Sequence, residues 1–93
     1  MPLLTQDEIA KNLTSLSGWI KERNEIAKEY QFKEFGEALS FVNKVGAEAE
    51  KMNHHPDIFI HSWNKVKITI STHSEGGITK KDIQLAEKIE GLK

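Results

Sequence analysis

The chain has no cysteine, which excludes disulfides and thiolate metal sites. It has no excess of either charge: net charge is −1 with the histidines neutral, and Lys and Glu are interspersed. A nucleic-acid or membrane-surface role resting on bulk electrostatics is therefore disfavoured. No apolar run is long enough to cross a bilayer. The first residues, Met-Pro-Leu-Leu-Thr-Gln-Asp-Glu, lack the basic region and long apolar stretch of a signal peptide. Repeats, low-complexity segments and linkers are also missing. The 93 residues, 38% apolar and 29% charged, read as one domain spanning 1–93. The expectation is a soluble cytoplasmic protein, and a core this small is often reinforced by oligomerisation.

Thr5 and Glu8 have capping-box spacing, and Ile9, Leu13 and Leu16 follow at helical spacing, which predicts a helix from about Gln6 to Leu13. Gly18 breaks it. Trp19 to Glu22 and Glu25 to Phe32 read as strands around Arg23-Asn24, with Asn24 suited to the positive φ of a tight hairpin. Ile26, Tyr30 and Phe32 fall on one face, interrupted by Lys28. The longest periodic segment runs from Lys33 to about Asn53. Its stripe is Phe35, Ala38, Leu39, Val42, Val45, Ala49 and Met52. Phe41 lies off that stripe, which suggests a second buried side and an oligomer interface. Gly36 and Gly46 each cost roughly 1 kcal/mol in a helix, a cost tolerated where close packing needs a small residue.

Pro56 disfavours helical geometry at His55, so the helix ends near Asn53 or His54. Ile58 to His61 is a third strand, Ser62 to Lys65 the connection, and Val66, Ile68 and Ile70 alternate inward on a fourth. Gly76-Gly77 is a turn. Thr79 with Asp82 caps a last helix, Ile78 and Ile83 form its staple, and Gly91 ends it. The expected fold is α+β: a four-stranded antiparallel sheet with three helices on one face, in the order α-β-β-α-β-β-α.

The stretch from Glu50 to His73 carries three histidines at its two ends, His54 and His55 at one and His73 at the other. A hairpin between them brings the ends together, which is expected to make one small pocket lined by the three imidazoles, and imidazole suits proton transfer near neutral pH. His54 and His55 on a continuous helix would point about 100° apart; the bland reading is that one caps the helix at the negative end of its dipole. A metal site lacks the familiar local spacings. His61 reads as surface or pocket rim, and Glu50 and Lys51 as solvated. Trp19 and Trp63 read as packing residues, with stacking on a flat heterocycle the functional alternative. Asp82 reads as a capping carboxylate, so that Asp82→Ala is expected to cost about 0.5–2 kcal/mol of stability with little effect on chemistry.

Ala49-Glu50-Lys51-Met52-Asn53-His54-His55-Pro56, then Trp63-Asn64-Lys65-Val66, then Ser71-Thr72-His73 resemble the signature of the pterin-4a-carbinolamine dehydratases. The likeness extends through Phe32-Lys33-Glu34-Phe35 and from Gly77-Ile78-Thr79 to Leu85-Ala86, nearly the whole chain. The resemblance implies a hydro-lyase that dehydrates 4a-hydroxytetrahydropterin to quinonoid dihydropterin, as in tetrahydrobiopterin recycling, with no metal and no redox cofactor. It implies His54, His55 and His73 as catalytic residues, and Asn53, Ser71, Thr72 and Ser74 beside them in the substrate site. It implies a homodimer or homotetramer, and for some animal members a second role as dimerisation partner of a transcription factor. Three departures stand out. The segment from Pro56 to Trp63 is one residue longer than the pattern, Trp63 replaces a common Tyr, and Ser74 stands where an acidic residue is common.

Overall fold

The computed structural model describes residues 2–93. In chain order it contains α1 (Gln6–Leu13), β1 (Ile20–Glu22), β2 (Glu25–Gln31), α2 (Phe35–Met52), β3 (Asp57–His61), β4 (Lys65–Ile70) and α3 (Lys80–Glu90), with a 3₁₀ turn at His73–Glu75 before α3. The strands form one antiparallel sheet in the order β1-β2-β4-β3. This is the α+β architecture the sequence predicts, with element ends moved by one or two residues.

The capping box of α1 is formed as the spacing requires. Thr5 Oγ1 accepts from the Glu8 N–H at 3.1 Å, and Glu8 Oε1 accepts from the Thr5 N–H at 2.8 Å. In the sheet, the two-residue period separates the faces. Ile26 and Tyr30 of β2, opposite Ile70 and Val66 of β4, point to the helices, and all four are buried. Ala27, Glu29 and Gln31, opposite Thr69, Lys67 and Lys65, point the other way.

Lys28 shares the inward face, opposite Ile68. Its ammonium is satisfied there by Glu90 Oε2 and the Ser17 carbonyl, both at 2.7 Å. A side chain at Gly18 is disfavoured by the backbone, whose φ is +85°, and its Cβ would stand 2.9 Å from Lys28 Cε, so the lysine would have to shift. The same Glu90 oxygen accepts from Trp19 Nε1 at 3.1 Å and from the Tyr30 hydroxyl. Burial pushes the Glu90 carboxyl up, but the hydrogen bonds from Lys28, Tyr30, Trp19 and Lys93 outweigh it and lower its pKa to about 2. Tyr30 is raised above the usual phenol range, first by burial and then by the Glu90 carboxylate.

Several local expectations are corrected. The stripe of α2 is rotated: Ala38, Phe41, Val45 and Ala49 are buried, while Phe35 and Leu39 are exposed at 49% and 40%. Phe41 is therefore a core residue of its own chain, its ring 4.7 Å from Tyr30 and 5.1 Å from Phe32. An aromatic on the opposite strand wall decides which side of an apolar-rich helix faces inward, and periodicity alone does not contain it. Neither α2 glycine marks close packing: a Cβ on Gly46 would meet nothing within 4 Å, and one on Gly36 only a Glu34 oxygen at 3.6 Å. In the β1–β2 hairpin the positive φ falls on Arg23 (+56°) and not on Asn24. Trp63, expected to pack, is 62% exposed on the β3–β4 turn; the turn is held instead by Asn64, whose Nδ2 donates to the Phe32 carbonyl at 2.8 Å.

Candidate active site

Two chain segments meet at one end of the sheet, the stretch between α2 and β3 and the stretch after β4. Asn53 ends α2 as a left-handed cap (φ 50°, ψ 43°), a conformation Asn tolerates better than most residues. The chain then enters β3, where Asp57 lies opposite Thr69 of β4. The same register carried back past Pro56 sets His55 beside Ser71 and His54 beside Thr72. His54 and Thr72 do meet, on one carboxylate.

That carboxylate is Asp82, fully buried in the first turn of α3. Its Oδ1 lies 2.5 Å from His54 Nε2. Its Oδ2 accepts from the Thr72 hydroxyl at 2.9 Å and from the Thr79 N–H at 2.7 Å. With the Thr72 proton so engaged, the Thr79 hydroxyl donates to Thr72 Oγ1 at 2.8 Å. Asp82 is thus the capping residue its spacing predicts and also the partner of a histidine 28 positions away. The expectation that it only caps the helix is corrected. A capping-box spacing locates the carboxylate on α3 and says nothing of what its other oxygen faces.

An ionised carboxylate only accepts hydrogen bonds, so Nε2 of His54 carries the proton and Nδ1 is the acceptor of the neutral ring. Nδ1 has no protein partner among the described residues and reaches solvent, since no buried side-chain nitrogen or oxygen among them lacks a bond. The imidazole is oriented at one edge and open at the other.

His73 and Ser71 lie along a separate concavity. It is a cleft of about 280 Å³ walled on one side by Ser71, His73, Gly76 and Gly77, and on the other by the turn at Arg23 and by Glu25. Gly76, at φ +72°, closes the 3₁₀ turn that carries His73, and the Thr72–Gly77 bridge ties it back to the strand. His54 and His55 do not line this cleft. His55 is exposed, with Nε2 3.3 Å from Glu50 Oε1. Asn53 and Ser74 are exposed as well, and Ser74 sits in the 3₁₀ turn outside the cleft wall. The fold therefore brings the three histidine-bearing segments to one end of the sheet, but this cleft is not the expected pocket lined by all three: His54 is turned onto Asp82, His55 is exposed, and His73 alone lines the cleft. Arg23 and Glu25 were not singled out by sequence as site residues; their place beside Ser71 follows from strand order, which pairs β2 with β4. His61 is far from this end, stacked on Phe59 at 5.1 Å and bonded to Glu29 at 2.5 Å on the outer face. Among the described residues, no group of three His, Asp or Glu side chains is placed to hold a metal ion, and no helix is long and apolar enough to cross a membrane.

A family profile described as pterin 4 alpha carbinolamine dehydratase matches residues 2–92. Proteins provisionally named pterin-4-alpha-carbinolamine dehydratase are similar over nearly their whole length. That of Sulfurisphaera tokodaii is 46% identical over 92 residues, covering 99% of this chain and 98% of its own. That of Nostoc sp. is 47% identical over 90 residues, covering 97% and 96%. A solved structure from Brucella melitensis, described as a transcriptional coactivator/pterin dehydratase, superposes with a TM-score of 0.92 at 37% identity, covering 97% of each chain. A pterin dehydratase-like protein described as a RuBisCO assembly factor in the alpha-carboxysome shares the fold alone, at TM-score 0.65 and 17% identity over 80% of this chain and 84% of its own. With the motif, the fold and these likenesses in agreement, the chain belongs to the pterin 4 alpha carbinolamine dehydratase family.

Proposed function

We propose that residues 1–93 act as a single domain that removes water from 4a-hydroxytetrahydropterin to give quinonoid dihydropterin, by histidine acid–base catalysis, in support of tetrahydrobiopterin recycling in the cytoplasm. The observation that carries this reading is the buried Asp82 carboxylate holding His54 by one ring nitrogen while the other stays open. In a carbinolamine a ring nitrogen lone pair expels the hydroxyl, which leaves readily only if it is protonated as it departs. The C4a–O bond breaks, the oxygen takes a proton and leaves as water, and a ring N–H proton goes to a base. His54, oriented by Asp82, and His73, on the cleft wall beside Ser71, supply the two proton transfers. Each such transfer typically contributes about 10²- to 10⁴-fold. His55, on the same end of the sheet, and the groups around Ser71 and Thr72 hold the flat ring.

The test is to add purified protein to freshly generated 4a-carbinolamine and follow the ultraviolet spectrum, with His54, His55 and His73 each replaced by a neutral residue. Catalysis above the spontaneous rate that falls in the His54 and His73 variants supports the reading. Full activity in all three folded variants defeats the acid–base assignment.

A second reading is an interaction module, alone or beside the enzyme. It is favoured by the exposed Phe35 and Leu39 on α2 and by the coactivator description of the Brucella melitensis relative. The same stripe is the surface we assign to a homodimer or homotetramer. Leu39→Asp reducing the mass in solution without loss of fold is the expected outcome; an unchanged oligomer removes that surface from consideration.

A further inference from the structure

Arg23 stands out among the exposed cations near the site. It occupies the first position of a two-residue hairpin between Glu22 and Glu25, with its backbone at φ +56°. That conformation suits Gly or Asn and disfavours a long side chain. Asn24, the adjacent residue, would accept it at lower cost, yet does not take it. The turn is held by a side chain reaching back across it: Lys21 Nζ donates to the Arg23 carbonyl at 2.6 Å. Unfavourable backbone geometry that the surroundings hold in place is concentrated at binding and catalytic sites.

The side chain is as unusual as the backbone. Arg23 lines the cleft that holds Ser71 and His73, and among the described residues its guanidinium makes no hydrogen bond or ion pair. Glu25 lines the same cleft and does not pair with it. The pairing of Ile26 with Ile70 sets Glu25 next to Ser71, so the negative wall lies at the strand and the positive one at the turn. A guanidinium is permanently charged and presents a planar fork of donors that matches an oxyanion.

We propose that Arg23 is a specificity-determining residue of this site, binding an anionic substituent on the substrate's side chain while the ring lies toward Ser71 and His73. The preferred substrates are then pterins whose tail carries a carboxylate or a phosphate. This rests on the dehydratase reading, with the pterin ring placed in this cleft beside His73. The ring is common to all pterins; the charge of the tail distinguishes them, and Arg23 senses that charge.

The test is a binding comparison by pterin fluorescence among three stable ligands: 6-carboxypterin, a 6-hydroxymethylpterin phosphate ester, and neutral 6-hydroxymethylpterin. Wild-type protein is expected to bind at least one of the anionic ligands about ten-fold or more tightly than the neutral one at low salt, a gap that narrows as salt screens the contact. Which anion gains more separates carboxylate from phosphate. Arg23→Gln is expected to bring all three affinities together. Arg23→Gly removes the guanidinium and relieves the backbone, so it is expected to lose the gap while folding at least as stably as wild type; it keeps the test decisive if the glutamine variant folds poorly. Equal affinities in the wild type, or an undiminished gap in Arg23→Gly, overturn the proposal and leave the dehydratase reading standing. Failure of all three ligands to bind overturns both.

Discussion

Helix α3 grips the sheet with two carboxylates, one near each end, and they differ in what they hold. Glu90 gathers Trp19, Tyr30 and Lys28 on one oxygen and Lys93 on the other. Its chief partner is the Lys28 ammonium, on a side chain only 12% exposed, joined by the more exposed Lys93 ammonium and by the neutral Trp19 and Tyr30 donors. Asp82 gathers a hydroxyl, a backbone N–H and an imidazole. Every bond at Glu90 is closed within the protein; at Asp82 one partner, His54, keeps a nitrogen open to solvent. The same device, a carboxylate satisfied by several donors, fixes structure at one end of the helix and orients a proton-transfer group at the other.

The largest effect expected is on turnover at the Asp82 end. His54→Ala should lower the dehydration rate by about 10²- to 10⁴-fold, measured against the spontaneous reaction, with urea unfolding showing a folded protein. At the other end, Glu90→Gln leaves Lys28 charged and unpaired in a mostly buried place. We expect about 3 kcal/mol of lost stability and unchanged turnover per folded molecule. A large loss of turnover there would erase the distinction between the ends. Smaller again is Asp82→Ala in stability: loss of the cap should cost about 0.5–2 kcal/mol, well below Glu90→Gln, while turnover falls more.

Acid sharpens the contrast further. The folded-state pKa of Glu90 is lowered from 4.5 to about 2. Its contribution to stability is therefore fully present above pH 4.5 and is lost as pH falls through about 2. Wild-type stability should decline over that window, and Glu90→Gln should decline less. Parallel curves would show that the carboxylate is not the group responsible.

The sequence made the frame legible because its signals are local. Thr5 with Glu8 and Thr79 with Asp82 cap their helices by spacing, and the alternation of Val66, Ile68 and Ile70 fixes a strand and its face. What escaped depends on partners distant in sequence. Phe41 is drawn inward by Tyr30 on β2 and by Phe32 just after it, both met earlier in the chain. Lys28 looks like an interruption of an apolar face until Glu90, 62 residues on, is placed against it. At the site, the motif pointed to His54, His55 and His73 together but not to their different surroundings. The turn at Pro56 and the return of β4 decide that His54 meets Thr72 on Asp82, while His73 and Ser71 face Arg23 across a cleft.

The most direct measurement is the dehydration rate of Asp82→Asn under conditions where the variant is folded. The amide keeps the size and an oxygen for the Thr79 N–H, but it removes the charge that fixes the proton on His54 Nε2. A fall of at least about ten-fold is expected, a share of what the imidazole itself supplies. A folded Asp82→Asn protein that turns over at the wild-type rate would contradict that expectation.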